Sequence, residues 1–221
     1  MRYRDRDHAG HVLADALRPL LDDASIVLAL PRGGVPVAAI VAERASLPLD
    51  ILMVRKLGLP RQPELAFGAL GEDGTMVLND ELIDRERLSG EEIDAVRQLE
   101  LAELERRAAL FRRPAATSAP AGLPGLEGRC VIIVDDGIAT GATMLVACQV
   151  AARQGARRVI AAAPVAASQA IPMLERARAE VVCPLVTDQL DAVGAWYDRF
   201  DQVPEHDVQR MLARHGGRGS T

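Results

Sequence analysis

The sequence is poor in the residues that would announce several common architectures. Aromatic side chains make up only 3% of the 221 residues, one Trp, two Tyr and three Phe, so Ala, Val, Leu and Ile must fill the core. Cysteine is scarce as well. Cys130, Cys148 and Cys183 are far apart, odd in number and set among apolar neighbours, which excludes both a disulfide framework and a paired-cysteine metal site. The four histidines, His8, His11, His206 and His215, show no ligand spacing and read as surface residues. No apolar run approaches the ~20 residues of a membrane span, and the first residues carry no apolar leader segment. No excess of positive charge exists either: the formal net charge is -5, with both signs interspersed, which disfavours nucleic acid as a partner. A reduced, cytoplasmic setting is the expectation. At this length one large domain, or one domain with a small appendage, is expected, and 49% apolar content supports a sizeable core.

What is present alternates. Residues 8–21 carry apolar side chains at helical spacing, with Asp7 placed to cap them. A short apolar run at 26–30 ends in Pro31, Arg32, Gly33 and Gly34; a helical stretch at 35–45 and a second apolar run at 51–54 follow. This rhythm is that of a parallel βαβ unit, and continuous apolar strands imply burial on both faces. Residues 57–63, rich in Pro and Gly, predict a loop, and 66–70 with 75–78 predict a hairpin around Gly74. Ser89 and Glu92 form a capping box for a long charged helix reaching about Arg113, whose terminal arginines suit the helix-dipole end. An Ala/Pro/Gly-rich connector at 114–128 follows, after which strands are expected at 130–134, 159–163 and 181–183, with helices near 143–154 and 170–178. The fold class expected is therefore α/β, a doubly wound, mainly parallel sheet, with a core over 1–183, a helical insertion at about 79–128, and a small C-terminal hood and tail over 184–221, Gly-rich and without expected order after Arg214. Ligands of such sheets bind beyond the carboxyl ends of the strands.

The segment with the most chemistry runs from Val131 to Thr143. Four β-branched residues make a buried strand; Asp135 and Asp136 emerge at its end; Ala139, Thr140, Gly141, Ala142 and Thr143 lead into a helix. Unsatisfied amides at a helix start, with two hydroxyls beside them, suit a phosphate dianion. Paired carboxylates would repel that phosphate, so their partners are hydroxyls, Mg²⁺ or a transient cation. A strand-end turn whose Asp residues only cap the next helix would not need the Thr-Gly-Ala-Thr continuation, and a nucleotide P-loop is excluded because no GxxxxGK[ST] is present.

This acidic pair followed by a T-G-x-T loop resembles the signature of type I phosphoribosyltransferases, which bind 5-phosphoribosyl-1-pyrophosphate (PRPP). The resemblance implies that Asp135 and Asp136 address the ribose hydroxyls and that residues 139–143 wrap the 5-phosphate. It implies a pyrophosphate loop at Arg32, Gly33 and Gly34, and a second basic contribution from Arg55 and Lys56 at the start of a mobile loop over 57–66. Catalytic roles would then fall to Asp135, Asp136, Arg32 and Lys56. Mg²⁺ would arrive with PRPP, with no direct protein metal ligand expected.

Two departures matter. Ala139 stands where the hypoxanthine-guanine branch has an acid/base Asp, and residues 164–168 lack that branch's base-reading Lys. Glu64 is the nearest carboxylate for proton transfer, and Val165, Trp196 and Tyr197 are candidates for a base pocket under the hood. The activity implied is transfer of phosphoribose from Mg-PRPP to a nitrogenous, purine-like acceptor with release of pyrophosphate; a homodimer is compatible. The rival class is a non-catalytic PRPP or nucleotide sensor. A PRPP synthetase is weaker, since relatives of that type carry two such domains. The reading requires the two acids to be free of ion pairs and the turn to be open.

Overall fold

A computed structural model describes residues 2–111 and 125–215. Among these residues ten strands and seven α-helices follow in chain order: α1 (Arg6–Leu17), β1 (Ser25–Ala29), α2 (Gly34–Ala45), β2 (Leu49–Ile51), β3 (Val54–Leu59), β4 (Gln62–Gly71), β5 (Met76–Leu78), α3 (Asp80–Glu86), α4 (Gly90–Phe111), β6 (Cys130–Val134), α5 (Ala142–Arg153), β7 (Arg158–Ala162), β8 (Val165–Ala167), α6 (Ile171–Arg176), β9 (Glu180–Val182), β10 (Leu185–Thr187) and α7 (Glu205–His215). The doubly wound α/β expectation holds: five strands form a parallel sheet in the order β2-β1-β6-β7-β9.

Burial follows from the two-residue period of a strand. Val27, Ala29, Ile132 and Val134 face one core with Val35, Val37 and Val41 of α2, whereas Ile26, Leu28, Val131 and Ile133 face another with Ala147, Cys148 and Ala151 of α5. Both faces of the sheet are therefore covered. Cys130 and Cys148 are packed as small core residues, and burial pushes the Cys148 thiol up to about 12. Among the described residues no helix is long and apolar enough to cross a membrane.

Strand order reverses between β1 and β6, which are paired from Ser25↔Cys130 to Ala29↔Val134. The chains leaving these two strands turn toward opposite faces of the sheet, and the crevice opens between them. Residues 30–34 and 135–141 are thus brought together by topology.

Several local expectations change. Asp5, not Asp7, caps α1, its carboxylate accepting from the His8 amide at 2.9 Å. The helix ends at Leu17 because Pro19 follows in a 3₁₀ turn. The loop expected at 57–63 is an antiparallel hairpin of β3 and β4, extended by β5 into a three-stranded sheet. Leu57, Leu59 and Phe67 bury their side chains in the main core, which outweighs the loop composition. Gly58 permits the irregular pairing, since a Cβ there would lie 2.4 Å from the Pro63 carbonyl oxygen. The capping box forms as read, with Glu92 accepting from the Ser89 amide at 2.9 Å and the Ser89 hydroxyl accepting from the Glu92 amide at 3.2 Å. Arg112, Arg113, most of the connector and the tail beyond His215 lie outside the described residues.

The C-terminal segment divides. Its first part joins the N-terminus in a satellite core of Tyr3, Ala9, Val165, Ala167, Leu190 and Tyr197, with β10 parallel to β8. Its last part, through Val203 and Val208, returns to the main core.

Candidate functional site

Two short loops interlock above the switch point. The amide of Leu30 donates to the Val134 carbonyl at 2.9 Å and that of Asp135 to the Ala162 carbonyl at 3.1 Å, so each strand end is pinned to its neighbour. Above them the loop of residues 31–34, with a cis Pro31–Arg32 peptide, presses against the acids. A Cβ on Gly33 would lie 2.0 Å from Asp136 Oδ2; one on Gly34 would lie 2.5 Å from the Val134 carbonyl oxygen and 2.9 Å from Asp135 Cα. Both glycines are required by close approach and not by backbone angle.

Beyond the acids, Ile138 bridges Ala166 and the chain turns into α5. Gly141 caps the helix at φ +74°, a left-handed conformation that favours glycine, and with no side chain of its own to offer it leaves the first amides to the Thr140 hydroxyl, which accepts from the Ala142 amide at 3.4 Å. Thr140 and Thr143 are exposed at the turn of residues 139–143, with Gly141 buried between them. Twelve residues of helix stand behind it, with the dipole's positive end at Gly141.

The acids differ in state. Burial, and next the charge of Asp136, holds the Asp135 carboxyl well above the usual carboxylate range. Burial also raises Asp136, but the Arg6 guanidinium opposes the shift. Asp136 is not free: Arg6 Nε donates to its Oδ2 at 2.9 Å and Nη2 stands in ion-pair contact with the same oxygen at 2.8 Å, with the two side chains only 12% and 13% exposed. The requirement that both acids stand clear of ion pairs therefore fails at Asp136, because α1 carries to the loop a cation that no sequence pattern connects with it. Asp135 has no such partner among the described residues; its Oδ1 accepts from the Asp136 amide at 2.8 Å.

A cavity of about 460 Å³ opens over Asp136, Arg32 and Gly33, roofed by Val193, Phe200, Asp201, Gln202 and Val203 of the hood, with Arg6 at its side. The base-pocket candidates are elsewhere. Val165 is fully buried in the satellite core, and Tyr197, 2% exposed, packs between Tyr3 and Phe200 at ring separations of 5.6 and 4.9 Å. The Tyr197 hydroxyl donates to the Asp136 carbonyl at 2.6 Å, and burial pushes its ionisation upward. Trp196 is half-buried beside them, its carbonyl accepting from the Tyr3 amide. These side chains build the small core that supports the hood, so Val193, Phe200 and Val203 are the apolar groups left facing the cavity.

Arg55 and Lys56 lie on β3, not in a loop, and neither lines this cavity. Arg55 Nε donates to Glu100 Oε2 of α4 at 2.6 Å, while Lys56 is exposed. Among the described residues no group of three or more His, Cys, Asp or Glu side chains comes together as a metal site. The functional groups that sequence reasoning misses are Tyr3 and Arg6. The one available signal is a tyrosine, in a chain nearly devoid of aromatics, placed among the charges of residues 2–7.

Comparison with known proteins agrees with this geometry. The phosphoribosyl transferase domain pattern matches residues 8–194. Two Mycobacterium tuberculosis proteins, from strains CDC 1551 and H37Rv and provisionally named phosphoribosyl transferases, are each 47% identical over 212 residues, 96% of this chain; the chain spans about half of their length, 46%. The crystal structure of TT1426 from Thermus thermophilus superposes with a TM-score of 0.86 at 42% identity, covering 97% of this chain and 99% of that one. The AQ2163 protein of Aquifex aeolicus shares the fold alone, with a TM-score of 0.51 at 12% identity over 94% of this chain and 82% of its own. With the acid loop, the glycine loop and the switch-point sheet all within the matched span, the chain belongs to the phosphoribosyl transferase domain family.

Proposed function

We propose that this domain transfers 5-phosphoribose from Mg-PRPP to a small nitrogenous acceptor, purine-like in size, with release of pyrophosphate. The observation that carries the reading is the interlock of Gly33 and Gly34 with Asp135 and Asp136 at the switch point, beside a helix start whose cap residue is a glycine. Each part matches one part of the substrate. The amides and hydroxyls of residues 139–143 receive the 5-phosphate, the acids receive the ribose hydroxyls, and Arg32 with the backbone of Gly33 and Gly34 receives the pyrophosphate. Mg²⁺, a hard cation that keeps oxygen ligands, enters on the pyrophosphate as part of the substrate.

In the reaction the bond from ribose C1 to the pyrophosphate oxygen breaks as one forms to the acceptor nitrogen. The acceptor's proton passes to solvent or to a base, for which Glu64 is the sequence candidate; its side chain lies outside the described residues. Positive charge developing on the sugar is met by Asp135 and Asp136, and the departing pyrophosphate by Arg32 and Lys56, so catalysis rests on placement and charge. The hood over Asp136 limits access of water, which would otherwise compete as acceptor.

The engagement of Asp136 by Arg6 and of Arg55 by Glu100 favours a second reading, a PRPP or nucleotide sensor without turnover. Calorimetric titration with PRPP, with and without Mg²⁺, followed by pyrophosphate release across a panel of bases, separates them. Release with one base supports transfer; binding without release supports sensing; no binding overturns both.

A further inference from the structure

We infer that Arg6 is a positioning residue of the ribose site, fastening the Asp136 carboxylate to the hood so that one carboxylate oxygen stays available for a substrate hydroxyl. The inference rests on the phosphoribose reading of the acid loop.

The Nε hydrogen bond and the Nη2 ion-pair contact that Arg6 makes with Asp136 fall on the same oxygen, Oδ2. Among the described residues no neighbouring residue bonds Oδ1. The third arm of the guanidinium, Nη1, donates to the Asp201 carbonyl at 2.8 Å, and the guanidinium carbon stands 3.8 Å from the centre of the Phe200 ring. Arg6 is thus fixed from three directions by hydrogen bonds and a ring face. It begins α1, which is packed along α2 in the main core, so its base is rigid. Asp136 is held from the hood a second time, by the Tyr197 hydroxyl on its backbone carbonyl. Val193 closes against the same loop, since a Cβ on Gly137 would lie 2.4 Å from Val193 Cγ1.

A plug that substrate must displace would occupy both oxygens or fill the cavity. Arg6 does neither: it stands at the cavity's side and engages Oδ2, while Asp136 itself still lines the cavity. Two adjacent, largely buried carboxylates without a counter-charge would share a proton, and a protonated acid is a poorer acceptor for a ribose hydroxyl. Arg6 supplies that counter-charge. The other groups facing Asp136 are Asp135 on the same loop, Arg32 across the cavity, and Tyr197 and Asp201 on the hood.

The test compares the parent chain with Arg6→Met and Arg6→Lys. In the ligand-free protein, carbon-13 titration of the Asp136 carboxyl should show its midpoint moved to higher pH in Arg6→Met. Calorimetry with Mg-PRPP at neutral pH should show on the order of tenfold weaker binding for Arg6→Met, recovering as pH rises, with Arg6→Lys intermediate. An unmoved midpoint, or Arg6→Met binding as tightly as the parent or more tightly at every pH, overturns the inference. Should Arg6→Met fail to fold, Phe200→Leu removes the ring beneath an intact guanidinium and should weaken PRPP binding roughly two- to threefold; unchanged affinity overturns the inference. A parent chain that binds no PRPP sinks the proposed function, and the Asp136 midpoint still decides whether Arg6 governs that carboxylate.

Discussion

The acid loop and the hood face each other across one cavity, yet they are built by different routes. The acid loop is contiguous: strand β6, Asp135, Asp136, the Gly141 turn and α5 follow within 24 residues of chain, each element dictating the next. The hood is assembled from opposite ends. Tyr3 bridges Tyr197, the amides of Asp198 and Arg199 donate to the carbonyls of Tyr3 and Arg4, and Arg6 reaches Asp136 across 130 positions. A local device keeps its chemistry in one stretch of sequence, whereas a composite one shows it only after folding. In this protein the local half holds the two acids and the glycine turn, and the composite half brings the cation that pairs with one of them.

The comparison is broken most forcefully at the acids. Asp135→Asn combined with Asp136→Asn should lower pyrophosphate release by on the order of 10³-fold, since groups that meet transition-state charge are removed; near-parental rates would refute the assignment. Asp135→Asn alone should also change stability in the opposite sense. An acid whose folded pKa lies above its unfolded value binds its proton more readily in the native state, so its contribution is fully present below the ordinary carboxylate range and is lost as pH rises through the native pKa. A neutral Asn, which can still accept from the Asp136 amide, avoids that loss. Its Tm should exceed the parent's at neutral pH, and the two should converge in acid.

Gly33 is the next largest lever, because it joins the two loops. Gly33→Ala places a Cβ 2.0 Å from Asp136 Oδ2, and the carboxylate must move. PRPP affinity should fall roughly ten- to a hundredfold, an overpacking cost of about 1–3 kcal/mol. Gly90→Ala, which opens onto free space at the start of α4, should leave calorimetric affinity unaltered.

Tyr197→Phe probes the hood side. It deletes a 2.6 Å hydrogen bond and leaves the Asp136 carbonyl unsatisfied, which should cost about 1–2 kcal/mol, or about 2–8 °C in Tm. Faster amide exchange at residues 135–138 should accompany it. A loss confined to the N-terminal segment would instead mean that Tyr197 serves the satellite core alone.

The same division explains what can be read from the chain. Val131 to Thr143 declares strand, acids and turn because each depends on near neighbours, and the switch-point rule places residues 31–34 beside them once the strand order is known. The hairpin of β3 and β4 escapes the sequence because Gly58, Pro60 and Pro63 look like a loop, while the burial of Leu57, Leu59 and Phe67 that overrides them is tertiary. Val165, Trp196 and Tyr197 suggest a base pocket because aromatics are concentrated there; that concentration serves a small core completed by Tyr3, which no local pattern links to it. The pairing of Arg6 with Asp136 has no periodicity or motif to betray it.

Arg55 is where the contiguous half extends least securely, and it offers the smallest effect. Its partner Glu100 sits on α4, within the segment read as an insertion, and the two side chains are 32% and 19% exposed. A pair so placed is partly screened by solvent, so Glu100→Gln should cost no more than about 1 kcal/mol in a denaturant melt. If Arg55 serves the pyrophosphate, loss of the carboxylate frees its guanidinium, and pyrophosphate affinity should rise roughly two- to threefold, within what one partly solvated charge contributes. Unchanged affinity with lowered stability would make Arg55 a strut between the hairpin and α4, leaving the leaving group to Arg32 and Lys56.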